Sequence, residues 1–115
     1  MGLTMNPKSM LIDLNRLVEQ WERDSKTVEI ADKPEWGRGV VHGIRAGSDY
    51  VKRVSTHSPR TLLEGLNALT VRWERNLGNP DMAAKTEWLR GVVYGVKQAT
   101  YTVARHLDPL PFGQG

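Results

Sequence analysis

Shifted by 52 residues, the chain lies on itself without a gap. LNRLVEQWER at 14–23 falls on LNALTVRWER at 66–75, and KPEWGRGVVHGIRAG at 33–47 falls on KTEWLRGVVYGVKQA at 85–99. Between 11–54 and 63–106, 18 of 44 positions are identical. A duplication of this kind constrains the fold strongly, because both copies must adopt the same supersecondary unit. Two copies fall short of the roughly three repeats that a solenoid needs. Two hairpins closing on each other meet the requirement. The expected architecture is all-α: a four-helix bundle built from two duplicated helical hairpins with pseudo-twofold symmetry. At 115 residues the chain reads as a single domain, 1–115, with repeats at 7–57 and 59–107 and an extended or disordered tail at 108–115.

Periodicity places two helices in each copy. Met10, Leu11, Leu14, Leu17, Val18 and Trp21 recur at three- and four-residue spacing, as do Leu62, Leu63, Leu66, Leu69, Trp73 and Leu77. Asn6-Pro7 and Ser58-Pro59 are cap-then-proline starts for the first helix of each copy. The first helix is expected to end near Lys26 and the third at Gly78-Asn79. Asp32, with Glu35 three residues on, reads as the start of helix 2, after a loop at 28–31. Asn79-Pro80 reads as the start of helix 4. Helices 2 and 4 then run to about Thr56 and Leu107.

Gly39, Gly43 and Gly47 stand four apart inside helix 2, and Gly91, Gly95 and Ala99 repeat them in helix 4. Each helical glycine costs about 1 kcal/mol relative to alanine. On a helical wheel Gly39 and Gly43 edge the apolar face formed by Trp36, Val40, Ile44, Gly47, Val51 and Val54. Small residues at this spacing let another backbone approach closely. Helices 2 and 4 are therefore expected to cross at their glycine edges. Tryptophan pairs, Trp21 with Trp36 and Trp73 with Trp88, should fill the flanks.

Several function classes lose support. There is no cysteine, hence no disulfide, thiol nucleophile or Cys-zinc site. No apolar run approaches the length of a membrane span, so no membrane partner is expected. MGLTMNPKS has no basic region followed by an apolar stretch, so no secretory signal is expected and the cytoplasm is the expected location. Glu22, Glu35, Glu74 and Glu87 recur as twins, but neither copy carries the Glu-x-x-His of a carboxylate metal site. His42, His57 and His106 do not recur: Tyr94 stands opposite His42, Pro109 opposite His57, and Val54 opposite His106. Ser48, Ser55 and Ser58 sit in no nucleophile context, and no phosphate-loop motif is present. No catalytic residue, metal or cofactor is assigned. A small metal- or nucleotide-handling enzyme is the weakest of the readings left open.

The surface opposite the core is more informative. Arg38, Arg45 and Lys52 recur at seven-residue spacing, and Arg90 and Lys97 continue the pattern in helix 4. Such a stripe can be a solvated, ion-paired face or can follow a phosphate backbone. Glu35, Asp49 and Glu87 dilute it. Val41 and Val93 lie beside the stripe in both copies, so helices 2 and 4 should touch a further neighbour, either within the bundle or on another chain.

The phrase W-x-R-G-V-x-x-G, present as EWGRGVVHG and EWLRGVVYG, resembles small helical proteins encoded by phages of actinobacteria. The resemblance covers most of both copies and carries no catalytic residue across. It implies a role in the host cytoplasm, binding and redirecting a host protein. The expected function is that of a non-enzymatic protein-binding or regulatory protein, monomer or homodimer. Its candidate partner-binding residues are Arg38, Val41, His42, Arg45, Arg90, Val93, Tyr94 and Lys97. The alternative is a nucleic-acid-binding protein that uses the same basic stripe.

Overall fold

Pro7, Pro34 and Pro59 each stand at the start of an α-helix, where a missing N–H costs nothing. The computed structural model describes residues 7–24, 34–54 and 59–107. Among these are four α-helices and no β-strand: α1 (Pro7–Asp24), α2 (Pro34–Val54), α3 (Pro59–Asn76) and α4 (Thr86–Leu107). The fold is an all-α bundle of two duplicated hairpins. The expected loop at 28–31, the Asp32 start, the helix ends near Lys26 and Thr56, His57, and the tail at 108–115 lie outside the described residues.

The start of helix 4 differs from expectation. Asn79 does act as a cap, its side chain accepting from the Asp81 N–H, but the element it opens is a 3₁₀ helix, Pro80–Lys85. The α-helix proper begins at Thr86, whose hydroxyl donates to the Ala83 carbonyl. Asn-Pro fixes where helical backbone starts but not which helix follows. A short 3₁₀ turn is a common lead-in to an α-helix.

The duplication is visible residue by residue in the core. Met10 and Leu62, Leu14 and Leu66, Val40 and Val92, Ile44 and Val96, and Val51 and Val103 are twin pairs, and every member is fully buried. The pair Val18 and Thr70 is buried too, the threonine hydroxyl donating to the Leu66 carbonyl one turn back. That position was not legible as core, because threonine does not mark an apolar stripe. Leu77, placed on the apolar stripe of helix 3 by periodicity, is exposed because α3 has already ended at Asn76.

α2 and α4 form the closest pair, running parallel. A Cβ at Gly39 would overlap the Trp88 carbonyl, one at Gly43 the Val92 carbonyl, one at Gly91 the Trp36 carbonyl, and one at Gly95 the Val40 carbonyl. Residue numbers rise together along both helices, and the relation is reciprocal. This is a pseudo-twofold axis lying between two parallel helices. The hydrogen that replaces each Cβ points at a carbonyl, an arrangement in which Cα–H···O contacts contribute about 0.5–1 kcal/mol each. That offsets much of the glycine penalty. Burial of Val40, Ile44, Val92 and Val96 beside the crossing contributes about 1.5–3 kcal/mol per side chain.

α1 packs against α2 and α3 against α4, with lighter contacts from α1 to α4 and from α2 to α3. The charges at one end repeat as well. Glu35 and Glu87 stand in the first turns of α2 and α4, and Arg23 and Arg75 in the last turns of α1 and α3. Each charge sits at the helix end whose dipole it complements.

At the other end the symmetry is broken. His106 of α4 pairs with Asp13 of α1 at 2.6 Å. The twin of Asp13 is Gly65, and the Tyr50 hydroxyl packs into the space that a side chain there would occupy.

Candidate partner-binding site

The tryptophan pairs form as the hairpins dictate. Trp21 and Trp36 meet edge-to-face at 5.6 Å between ring centroids, and Trp73 and Trp88 at 5.9 Å. Each pair is completed by a ring from the other copy. Tyr94 lies 5.8 Å from Trp21 and 5.3 Å from Trp36, while His42 lies 5.7 Å from Trp73 and 4.9 Å from Trp88. His42 and Tyr94 are exposed, as candidates for a partner-facing surface must be. Their ring faces also join the two hairpins, a role visible only once α2 and α4 are parallel.

The basic stripe is threaded with acids. Arg38 donates to Glu35 at 2.8 Å and Arg45 to Glu22 at 2.7 Å. In the second copy Arg90 donates to Glu87 at 2.8 Å, and the Lys97 ammonium lies 3.5 Å from Glu74. These pairs account for all four duplicated glutamates, each of which faces a cation of its own. Among the described residues, no group of three or more His, Cys, Asp or Glu is placed to hold a metal ion. No helix among them is long and apolar enough to cross a membrane.

Four of the eight candidate residues come together. Arg38, Val41, His42 and Arg45 line a cleft of about 520 Å³ together with Glu22, Gly37 and Trp88. Their twins Arg90, Val93, Tyr94 and Lys97 do not line it. Val93 is only 7% exposed, so it serves the bundle interior and offers no surface to a partner. Val41 is half-buried. Position 37 accounts for the difference. Gly37 stands one turn before Val41, and its twin Leu89, one turn before Val93, is fully buried. Side chains four apart share a helix face. Gly37 is also buried, but with no side chain it leaves Val41 half-buried, where Val93 beside Leu89 is buried.

Gly37, Glu22 and Trp88 line the cleft beside the candidates without having been singled out as site residues by the sequence pattern. The Gly37/Leu89 mismatch within an otherwise matched EW-x-RGVV phrase was the available signal. Two other depressions are present. One, of about 650 Å³, runs along the 3₁₀ helix between Glu35 and Ala83–Trp88. The other, of about 350 Å³, is a polar groove between α1 and α2 lined by Asn15, Glu19, Ser48 and Asp49 among others. The first sets Lys85 against Glu35 and Glu87, and the second sets Arg45 and Lys52 against Glu19, Glu22 and Asp49, so acids outnumber cations in both.

No family model matches the chain, and neither a curated protein nor a solved structure matches it significantly.

Proposed function

We propose that the protein is a non-enzymatic binding or regulatory protein that recognises another protein through the exposed side of α2, centred on the Gly37 cleft, with the exposed residues of α4 as a secondary surface. The observation that carries this reading is the break in symmetry. Two copies that share their buried core differ at one pair of twins: Gly37, itself buried, lies in the lining of a cleft, and Leu89 is a fully buried side chain. The cleft has an apolar floor at Gly37 and Val41, an aromatic wall at Trp88, and arginines at its rim. Tryptophan and arginine around a small apolar pocket is the composition enriched where protein interfaces concentrate their binding energy. The resemblance of the repeated phrase to small phage-encoded proteins accords with a factor that acts on a host protein in the cytoplasm.

Nucleic-acid binding is the weaker reading. Arg38, Arg45, Arg90 and Lys97 each stand beside a carboxylate that would oppose a phosphate. The test is affinity capture from the native cell by the wild-type protein and by the Arg38→Glu/Arg45→Glu variant, read by mass spectrometry. One defined protein lost from the variant supports the proposal. Equal capture by both, or salt-sensitive retention of duplex DNA in its place, opposes it.

A further inference from the structure

We infer that the outer face of the second hairpin, between α3 and α4, docks an acidic segment of a partner protein that lays an apolar side chain across Val71 and Tyr101. This rests on the protein-binding reading above and names the partner's chemistry at a face built from residues that do not line the Gly37 cleft.

The duplication shows which surface has diverged. Asp13, Glu19, Asp24 and Asp49 of the first hairpin have Gly65, Val71, Asn76 and Tyr101 as their twins. Seven cations face six acids along α1 and α2, whereas six cations face only three acids along α3 and α4. Pairing does not cancel this excess. Glu74 is taken up by Lys97 and Glu87 by Arg90. Among the described residues no carboxylate lies within ion-pair distance of Arg60, Arg72, Arg75 or Arg105, all four of which are exposed. Glu64 is the one acid of the two helices left against them.

Two of the lost acids are replaced by apolar groups in solvent. Val71 is 45% exposed and Tyr101 57%. The Glu74–Lys97 contact sets the register of the hairpin. Three residues back from Glu74 along α3 and four forward from Lys97 along α4 bring Val71 and Tyr101 together, just as their twins Glu19 and Asp49 line one groove between α1 and α2. Arg75 stands one turn beyond Val71, and Arg105 one turn beyond Tyr101, each on the same helix face as its apolar neighbour. Because the helices run in opposite directions, the two arginines flank the apolar pair at opposite ends, about 12 Å apart along the hairpin.

Tyrosine and arginine beside an aliphatic side chain are characteristic of protein interfaces. A carboxylate arriving at Arg75 or Arg105 meets a guanidinium with no glutamate to give up. The charge-assisted hydrogen bond it makes strengthens as the apolar contact excludes water. A nucleic acid suits the face less well. Val71 offers nothing to a phosphate backbone, and Tyr101 is a single stacking platform, since the Tyr94 ring packs on Trp21 and Trp36.

The experiment pans a displayed random-peptide library against the full-length protein. Retained peptides are then measured against Val71→Ala/Tyr101→Ala, which removes the apolar pair without changing charge, and against Arg75→Glu/Arg105→Glu. Arg38→Glu/Arg45→Glu makes the same change of charge on the first hairpin and is the control. Circular dichroism confirms that each variant is folded. The expected result is enrichment of acidic peptides that carry an aliphatic or aromatic residue. Their binding falls about tenfold or more with either second-hairpin variant and keeps its strength with the control. Peptides that lose binding only to the control overturn this inference and leave the protein-binding reading standing, as do selected peptides without acidic residues that still respond to Val71→Ala/Tyr101→Ala. Equal losses with both charge-reversed variants mark a response to net charge alone and overturn the inference. Peptides indifferent to all three variants, or no enrichment at all, overturn both readings. Duplex DNA that binds the wild type and displaces the selected peptides also overturns the inference.

Discussion

Gly43 and Gly95 lie back to back across the parallel crossing of α2 and α4, so close that a Cβ built on Gly95 would stand 3.0 Å from the Gly43 Cα and would overlap the Val40 carbonyl. The obstacle is backbone, which cannot rotate away as a side chain can.

Gly43→Leu should therefore force the two helices apart, with a loss of about 3 kcal/mol or more from overpacking and separation of the flanking core. The expected outcome is a fall in Tm of about 10 °C or more in a thermal melt. Gly78→Ala is the control. Its nearest obstacle is the Arg75 carbonyl at 4.0 Å, so the same melt should show no loss. A Gly43→Leu protein that melts like wild type would be incompatible with the crossing described.

Gly47 and Ala99 test the pseudo-twofold relation directly. A Cβ at Gly47 would stand 2.7 Å from the Ala99 Cβ, so only one of the two positions can hold a methyl group comfortably. Gly47→Ala should destabilise by about 1 kcal/mol, and adding Ala99→Gly should recover part of that loss. Additive losses in denaturant titrations of the double-mutant cycle would show that the two sites do not meet.

His42 should be replaceable by tyrosine, because Tyr94 occupies the equivalent place against the other tryptophan pair. His42→Ala removes two ring contacts, each worth about 0.5–1.5 kcal/mol. The alanine variant is expected to lose stability in urea unfolding and to change tryptophan emission. The tyrosine variant is expected to keep the wild-type midpoint.

Arg45→Glu combined with Glu22→Arg reverses an exposed ion pair that spans the two helices of the first hairpin. Exposed pairs contribute below about 1 kcal/mol, so Tm should move by only a few degrees. A large drop would mean that the pair has a structural role and that rim substitutions cannot report on binding alone.

Gly37→Leu should keep or raise Tm. Leucine improves helix propensity by up to about 1 kcal/mol, and the twin position holds a buried leucine. A lowered Tm would show that the backbone at Gly37, unlike that at Leu89, has no room for a side chain.

The sequence alone determined the helix content, the two-hairpin organisation, the tryptophan pairing within each hairpin and the close approach at Gly39, Gly43, Gly91 and Gly95. These follow from local period, the duplication and the steric meaning of glycine, all of which act within one copy or are repeated identically in both. Tertiary structure alone decided which ring of one copy completes the cluster of the other. It also decided that Thr70 and Val93 are interior, that His106 reaches Asp13, and that the glutamates disperse onto neighbouring cations. It decided that Asn79-Pro80 opens a 3₁₀ segment ahead of α4. The physical reason is that these outcomes depend on the direction and rotation of α2 relative to α4. A periodic pattern fixes which face of a helix is buried, but only the packed pair fixes which residues of the two faces meet. The cleft belongs to this second kind. Gly37 is one more glycine in a glycine-rich helix until the packed bundle puts it, buried, in the lining of a cleft whose twin position holds Leu89.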